Sequence, residues 1–493
     1  MTNDLKDKPS TGSFGGRTLR PAAAPATGPF GEGAPGSAPL RSPDGAPASK
    51  QTGSGPLADT GSGRLVPRPP LIPEPQSIEE TGLNSSLLTD LILKTIYFAG
   101  QITAQEISQQ VKLPFSNIVE SVLDFLKREE LVGIIGSRGF GERGFQYAIA
   151  PKGGERVREA LLRSQYVGPA PVPLKTWVER VKAQSITSNV VRQEDVRAAL
   201  AHLVLSPKTF RKIGPAVNSG RSIFLYGPPG NGKTTIAQAM ATLLKGMVYI
   251  PYAIDVDSQI IRVYDRLNHV AVAENNGDAG PQRAAGDQRE DTRWVLCKRP
   301  VVIVGGELTL NNLDLIYDPS SKFYEAPFQM KASNGLFMID DFGRQQVRPQ
   351  DLLNRWIVPL ETRIDFLTLH TGKKIEVPFD QLLVFSTNLD PKSLVDDAFL
   401  RRIRHKIEIP DPTDADFYQI FQRVAAARKV QFDQQAFIYL LQEWYIKKGR
   451  APKAVHPRDL LDQILDITNY QGIHPAMTKE LLDQACEAYF VNL

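Results

Sequence analysis

Residues 226–235 read YGPPGNGKTT, with three glycines and two prolines packed around one lysine and two threonines. The preceding RSIFLYG has the length and apolar content of a short buried strand, and the following TTIAQAMATLL places apolar side chains at helical spacing. A loop between a strand and a helix that also meets G-x-x-x-x-G-K-[ST], at Gly227, Gly232, Lys233 and Thr234, has the P-loop pattern. Glycine lets the backbone approach closely and turn successive N–H groups inward, and the positive end of the helix adds to the attraction for phosphate oxygens. Pro228, Pro229, Gly230, Asn231 and Thr235 complete the candidate cradle. Lys233 is placed to reach the outer phosphates, and the Thr234 hydroxyl offers Mg²⁺ a hard oxygen ligand. The other reading is an ordinary glycine-rich turn; strand, loop and helix together favour a nucleoside triphosphate.

The 493 residues leave room for two to three domains, and 42% of them are hydrophobic, enough for sizeable cores. Composition is uneven. Residues 1–77 are dominated by Gly, Pro, Ala and Ser, with few aliphatic clusters to offset chain entropy, and are expected to form a disordered tail. The start, MTNDLKDKPS, lacks the apolar core of a signal peptide. No later run of about 18 apolar residues suggests membrane insertion, so a cytoplasmic protein is expected. Cys297 and Cys486 stand far apart without metal-ligand spacing and are expected to be buried or inert thiols. A formal net charge of +4 over this length does not by itself argue for nucleic acid.

Residues 78–166 carry three helical stretches followed by GIIGSRGFGERGFQYAIAPKG, which alternates like a β-hairpin. That order resembles a winged helix. The resemblance implies a recognition helix near residues 114–128, with Arg138 and Arg143 on the wing available to DNA phosphates. Against DNA stand Glu120, Asp124, Glu129 and Glu130 on or beside that helix; a protein-docking module is the alternative. A proline-rich joint at 167–174, VGPAPVPL, is expected to separate this module from an α/β nucleotide-binding domain over 175–411. The runs MVYI, GLFMIDD, QLLVFSTN and HKIEI are its further candidate strands. The Gly-rich, charged segment 274–291 reads as a surface insertion, and residues 412–493 turn wholly helical.

From about residue 175 onward the motif order resembles the AAA+ ATPases, with a three-layer α/β sandwich and a C-terminal helical lid as the implied fold. LFMIDD resembles a Walker B strand, which would put Asp340 on Mg²⁺ or its water and make Asp341 the group that polarises the attacking water. Asp341 stands where glutamate is more usual and is one methylene shorter. Asn388, ending LLVFSTN, is similar to a sensor 1 residue. The resemblance makes Arg401, Arg402 and Arg404 in FLRRIRH candidate arginine fingers and Arg458 in HPRDLL a candidate sensor 2; salt bridging or simple surface exposure is the alternative for each. The alternating segment ETRIDFLTLHTGKKIEVPFDQ resembles the hairpin insert of MoxR-like members, or is a plain exposed hairpin. No aromatic-hydrophobic-glycine triad follows the second strand; Tyr252, Phe323 and Tyr324 are stand-ins for a peptide-threading loop, with core packing as the alternative for each.

The resemblance thus implies ATP and Mg²⁺ as ligands and a homo-oligomeric ring, usually of six, because fingers act across subunits. It also implies remodelling of an unidentified protein partner. An ATP-gated, DNA-associated regulator and an assembly scaffold are the rival functions.

Overall fold

The strand ahead of the glycine loop, Ile223–Tyr226, lies inside a five-stranded parallel sheet. Its order is Val301–Val304, Leu336–Ile339, Leu382–Thr387, Ile223–Tyr226, His405–Glu408. The computed structural model describes residues 68–272, 289–394 and 397–490. Most of the expected tail, residues 1–67, and most of the expected insertion, residues 274–288, lie outside the described residues. The inner strands are near-continuous apolar runs because both faces are covered. On one face Ile223, Leu225, Met338 and Val384 pack with Ile236 and Met240 of helix Lys233–Leu243. On the other, Phe224, Phe337 and Phe385 pack with Leu352 and Trp356 of helix Pro349–Thr362. Alternation along each strand thus produces a three-layer α/β arrangement.

One expected strand belongs elsewhere. MVYI forms Met247–Pro251, but it pairs antiparallel with Trp294–Lys298 in a separate two-stranded sheet; the edge of the parallel sheet is Val301–Val304 instead. A second five-stranded sheet, mixed in direction, runs Ile316–Asp318, Phe323–Glu325, Gln259–Arg262, Ala253–Val256, Val172–Pro173. The hairpin of Ile364–Thr368 and Lys374–Pro378 does not stand free of this sheet. Leu367, Leu369, Ile375 and Val377 are buried in one core with Ile254, Ile261 and Tyr324, and the loop's His370 stacks on Tyr317 with ring centroids 4.1 Å apart. Lys373 pairs with Asp257.

Helices Ser85–Ala99, Ala104–Val111 and Glu120–Arg128 close on a three-stranded antiparallel sheet ordered Ile102–Thr103, Phe145–Ile149, Val132–Ser137. The expected helix over 114–128 becomes regular only at Glu120, since Ser116 is extended and Asn117 takes a φ of 68°. The proline-rich joint is not a free spacer. Ala170 and Val172 are fully buried, the Ala170 N–H donates to the Val111 carbonyl, and Val172–Pro173 is a strand of the second sheet. At the C-terminal end, helices Asp414–Arg428, Gln434–Leu440, His456–Gln471 and Lys479–Tyr489 share a core of Phe417, Phe421, Leu460 and Leu482, as their periodicity implies.

Residues 68–76, inside the stretch expected to lack a fold, run beside residues 289–291. Ile72 is buried, the Glu74 N–H donates to the Arg289 carbonyl, and the Ile72 carbonyl accepts from Asp291 N–H. Asp291 in turn holds Arg293 in a buried ion pair at 2.8 Å. A chain beginning at Ser77 should therefore be less stable than one beginning at Arg68 by about 2 kcal/mol, roughly the value of one buried large aliphatic side chain. Chemical denaturation of the two truncations measures it; equal midpoints would show that the segment adds nothing.

Candidate functional site

All five strands of the main sheet are parallel, so their C-terminal ends open at one edge, where ligands bind in such sheets. Gly227 leaves Ile223–Tyr226 there, Asp340 leaves Leu336–Ile339, and Asn388 leaves Leu382–Thr387. Gly227 has a φ of 133°, and a Cβ on it would lie 2.3 Å from the Ile409 carbonyl oxygen, so close packing against the neighbouring chain demands glycine. Gly232, with a φ of 74°, caps helix Lys233–Leu243 and turns the chain into it.

Lys233 is buried, and its ammonium donates to the carbonyls of Gly227 and Pro228, both at 2.9 Å, and to Asn388 Oδ1 at 2.5 Å. Burial pulls its pKa below the usual lysine value, while the Asp340 and Asp341 carboxylates oppose that shift. The Thr234 hydroxyl donates to Asp340 Oδ2 at 2.6 Å. Asn388 Nδ2 donates to Asp341 Oδ1 at 3.1 Å. The amide of Asn388 thus bridges the loop lysine and the second acid. Asp341 sits at a φ of 48°, and the chain beyond it is pinned: Phe342 is fully buried, its N–H donates to the Ser386 carbonyl, and its carbonyl accepts from Thr387 Oγ1 at 2.7 Å. The strained turn aims the Asp341 side chain outward while Phe342 anchors the core.

Pro228 is half-buried, Pro229, Gly230 and Thr235 are exposed, and Asn231 is buried. The arginines are not drawn into this cluster. Arg402 is half-buried and pairs with Glu361 at 2.5 Å, whereas Arg401 and Arg404 are exposed and make no ion pair among the described residues. Arg458, in the first turn of helix His456–Gln471, is exposed and pairs with the adjacent Asp459 at 3.0 Å. The aromatic stand-ins for a threading loop are packed instead: Tyr324 is fully buried, Tyr252 stacks edge-on to Tyr264, and Phe323 does so to Tyr166. Both cysteines are buried, and burial pushes each thiol up to about 12. Two residues at the loop lie outside the motifs of the sequence, Asp411 and Lys453; the first holds Asn231 and the second holds Asp411. No local pattern marks either.

Among the described residues no group of three or more His, Cys, Asp or Glu side chains is set to hold a metal, and no helix is long and apolar enough to cross a membrane. A family model described as a domain of unknown function (DUF8689) matches residues 413–488, the C-terminal helices. The comparison with curated proteins finds no match. Among solved structures, the chain is similar to the Thermotoga maritima RuvB Holliday junction branch migration motor, at 15% identity over 60% of this chain and 70% of that one, with a TM-score of 0.32. It is also similar to Brucella abortus NtrX, solved in complex with ADP, at 13% identity over 77% of this chain and 69% of that one, with a TM-score of 0.34. Superposition that partial leaves the class of this chain to its own topology and residues.

Proposed function

We propose that this chain is an AAA+ ATPase that binds and hydrolyses ATP with Mg²⁺ and couples turnover to the remodelling of a protein partner as a ring. The observation that carries the proposal is the convergence of Lys233, Thr234, Asp340, Asp341 and Asn388 at one sheet edge, each reaching the next by a hydrogen bond or a peptide link. Thr234 and Asp340 present two hard oxygens side by side, which suits a Mg²⁺ ion that keeps most of its shell as water and phosphate oxygen. When bound, that ion would neutralise charge on the outer phosphates. Lys233 exchanges its bonds to loop carbonyls and Asn388 for phosphate oxygens. Asn388 then orients a water, and Asp341 accepts its proton as it attacks.

The segment of helices and hairpin over 85–149 is proposed to be a winged helix that docks protein. Glu120 and Asp124 lie on its third helix, Lys127 there is already paired with Asp124 at 2.6 Å, and the neighbouring Glu120 carboxyl raises that of Glu142. Arg143, a phosphate contact only in the alternative DNA reading, donates to Ser116 Oγ and covers the Phe115 ring. Phe140 at the hairpin tip is fully exposed, an apolar end that suits a protein surface better than a phosphate backbone.

Lys233→Ala should weaken ATP binding by about tenfold or more, since it removes the buried cation of the cradle. Equilibrium titration with a fluorescent ATP analogue checks this on protein shown to be folded by circular dichroism. Unchanged affinity would remove the phosphate-binding role from the loop.

A further inference from the structure

Asn231 at the crown of the glycine loop is buried, and its amide is committed to segments far along the chain. Nδ2 donates to Asp411 Oδ1 at 2.7 Å, and Oδ1 accepts from the Ala454 N–H at 3.1 Å. Lys453 Nζ donates to both oxygens of Asp411, at 2.7 and 2.8 Å. One residue on, the Val455 N–H donates to the Gly230 carbonyl at 2.9 Å. The packing is as close as the bonding: Gly230 has a φ of 80°, and a Cβ there would lie 2.8 Å from Val455 Cγ1.

These contacts fall at two mechanically distinct places. Asp411 lies in the connection between strand His405–Glu408 and helix Asp414–Arg428, where the parallel sheet gives way to the C-terminal helices. Residues 453–455 lead directly into helix His456–Gln471. A side chain that ties this connection to both the loop and the helix entry restrains rotation of the helices about the connection. The Asn231 amide has its donor and acceptor satisfied only while both segments are in place, and losing them would strand a buried polar group.

We infer that Lys453 is a positioning residue which, with Asp411 and Asn231, forms a clasp holding the C-terminal helices down on the glycine loop. The functional consequence of the clasp rests on the proposed ATP-binding role of the loop. It keeps the cleft closed over a bound nucleotide, so that opening it speeds nucleotide release. Lys453 is also close enough for its charge to be felt at Lys233, where it acts against protonation while Asp411 acts in favour. Shifting the Lys453–Asp411 pair therefore changes the field at the phosphate-binding lysine.

Hydrogen exchange on nucleotide-free protein reads the clasp directly, through the amides of Ala454 and Val455 that bond to the loop. Lys453→Met should speed their exchange about tenfold or more, while amides of strand Leu382–Thr387 keep their protection. Lys453→Arg, which preserves charge and donors, should restore most of the protection. Dissociation of a fluorescent ADP analogue should be several-fold faster in the Met variant and near parental in the Arg variant. Asp411→Asn, which can still accept from Asn231 but lacks the charge, provides a second variant and should shift exchange in the same direction. Parental protection at 454 and 455 in Lys453→Met and Asp411→Asn would overturn the clasp. Faster exchange in both variants, together with a parent protein that binds no nucleotide, would leave the clasp standing and remove the ATP reading instead.

Discussion

Asp341→Asn is expected to bind ATP as the parent does and to hydrolyse it roughly 10²-fold more slowly. The replacement keeps the size of the side chain and an oxygen that can accept from Asn388 Nδ2, now at 3.1 Å from Asp341 Oδ1, so the turn at a φ of 48° and the anchoring of Phe342 should survive. What disappears is the carboxylate that takes a proton from the attacking water. Affinity and chemistry therefore separate in this variant, whereas Lys233→Ala loses both. Steady-state phosphate release measured beside equilibrium binding distinguishes the two cases. A parental rate would move proton acceptance to another group. Because aspartate is one methylene shorter than glutamate, Asp341→Glu is the informative companion: faster turnover would mean that reach limits the parent.

The parts of this site legible in the sequence are those in which a buried strand ends directly in a chemical group. Tyr226 into Gly227, Ile339 into Asp340 and Thr387 into Asn388 are each a largely apolar run that gives way at once to the glycine loop or to a polar residue, and parallel pairing brings those ends to one edge. Sheet membership was less legible. The apolar run MVYI reads as a strand, but such a run carries no information on which sheet recruits it; hydrogen bonding to Trp294–Lys298 takes it away, and VVIV, which is not among the candidate strands of the sequence, forms the edge instead. Composition misleads at the proline-rich joint, since Ala170 and Val172 are small enough to be buried in a segment that reads as a spacer. The clasp was invisible for a different reason. Asn231 and Ala454 lie 223 residues apart, and a single lysine in APKAVHPR carries no spacing that would link it to a loop so distant.

Arg401 or Arg404, rather than Arg402, is expected to complete a neighbouring subunit's site in a ring. An arginine that serves another subunit has to be uncommitted in its own, and Arg402 is held by Glu361 of helix Pro349–Thr362 while the other two point to solvent. Replacing the acting arginine with alanine should leave ATP binding intact and lower turnover by about 10³-fold, because the guanidinium meets charge that develops only during transfer. Arg402→Ala should instead change stability by no more than about 1 kcal/mol, the range for a solvent-accessible pair. The decisive measurement is rescue in trans. Mixed with Asp341→Asn, the finger variant should regain activity, since some interfaces then join an intact arginine to an intact carboxylate. Two variants of a monomer cannot repair each other in this way. If light scattering shows mixed assemblies whose activity does not exceed that of the separate proteins, these arginines serve the fold of their own chain and the catalytic interface lies elsewhere.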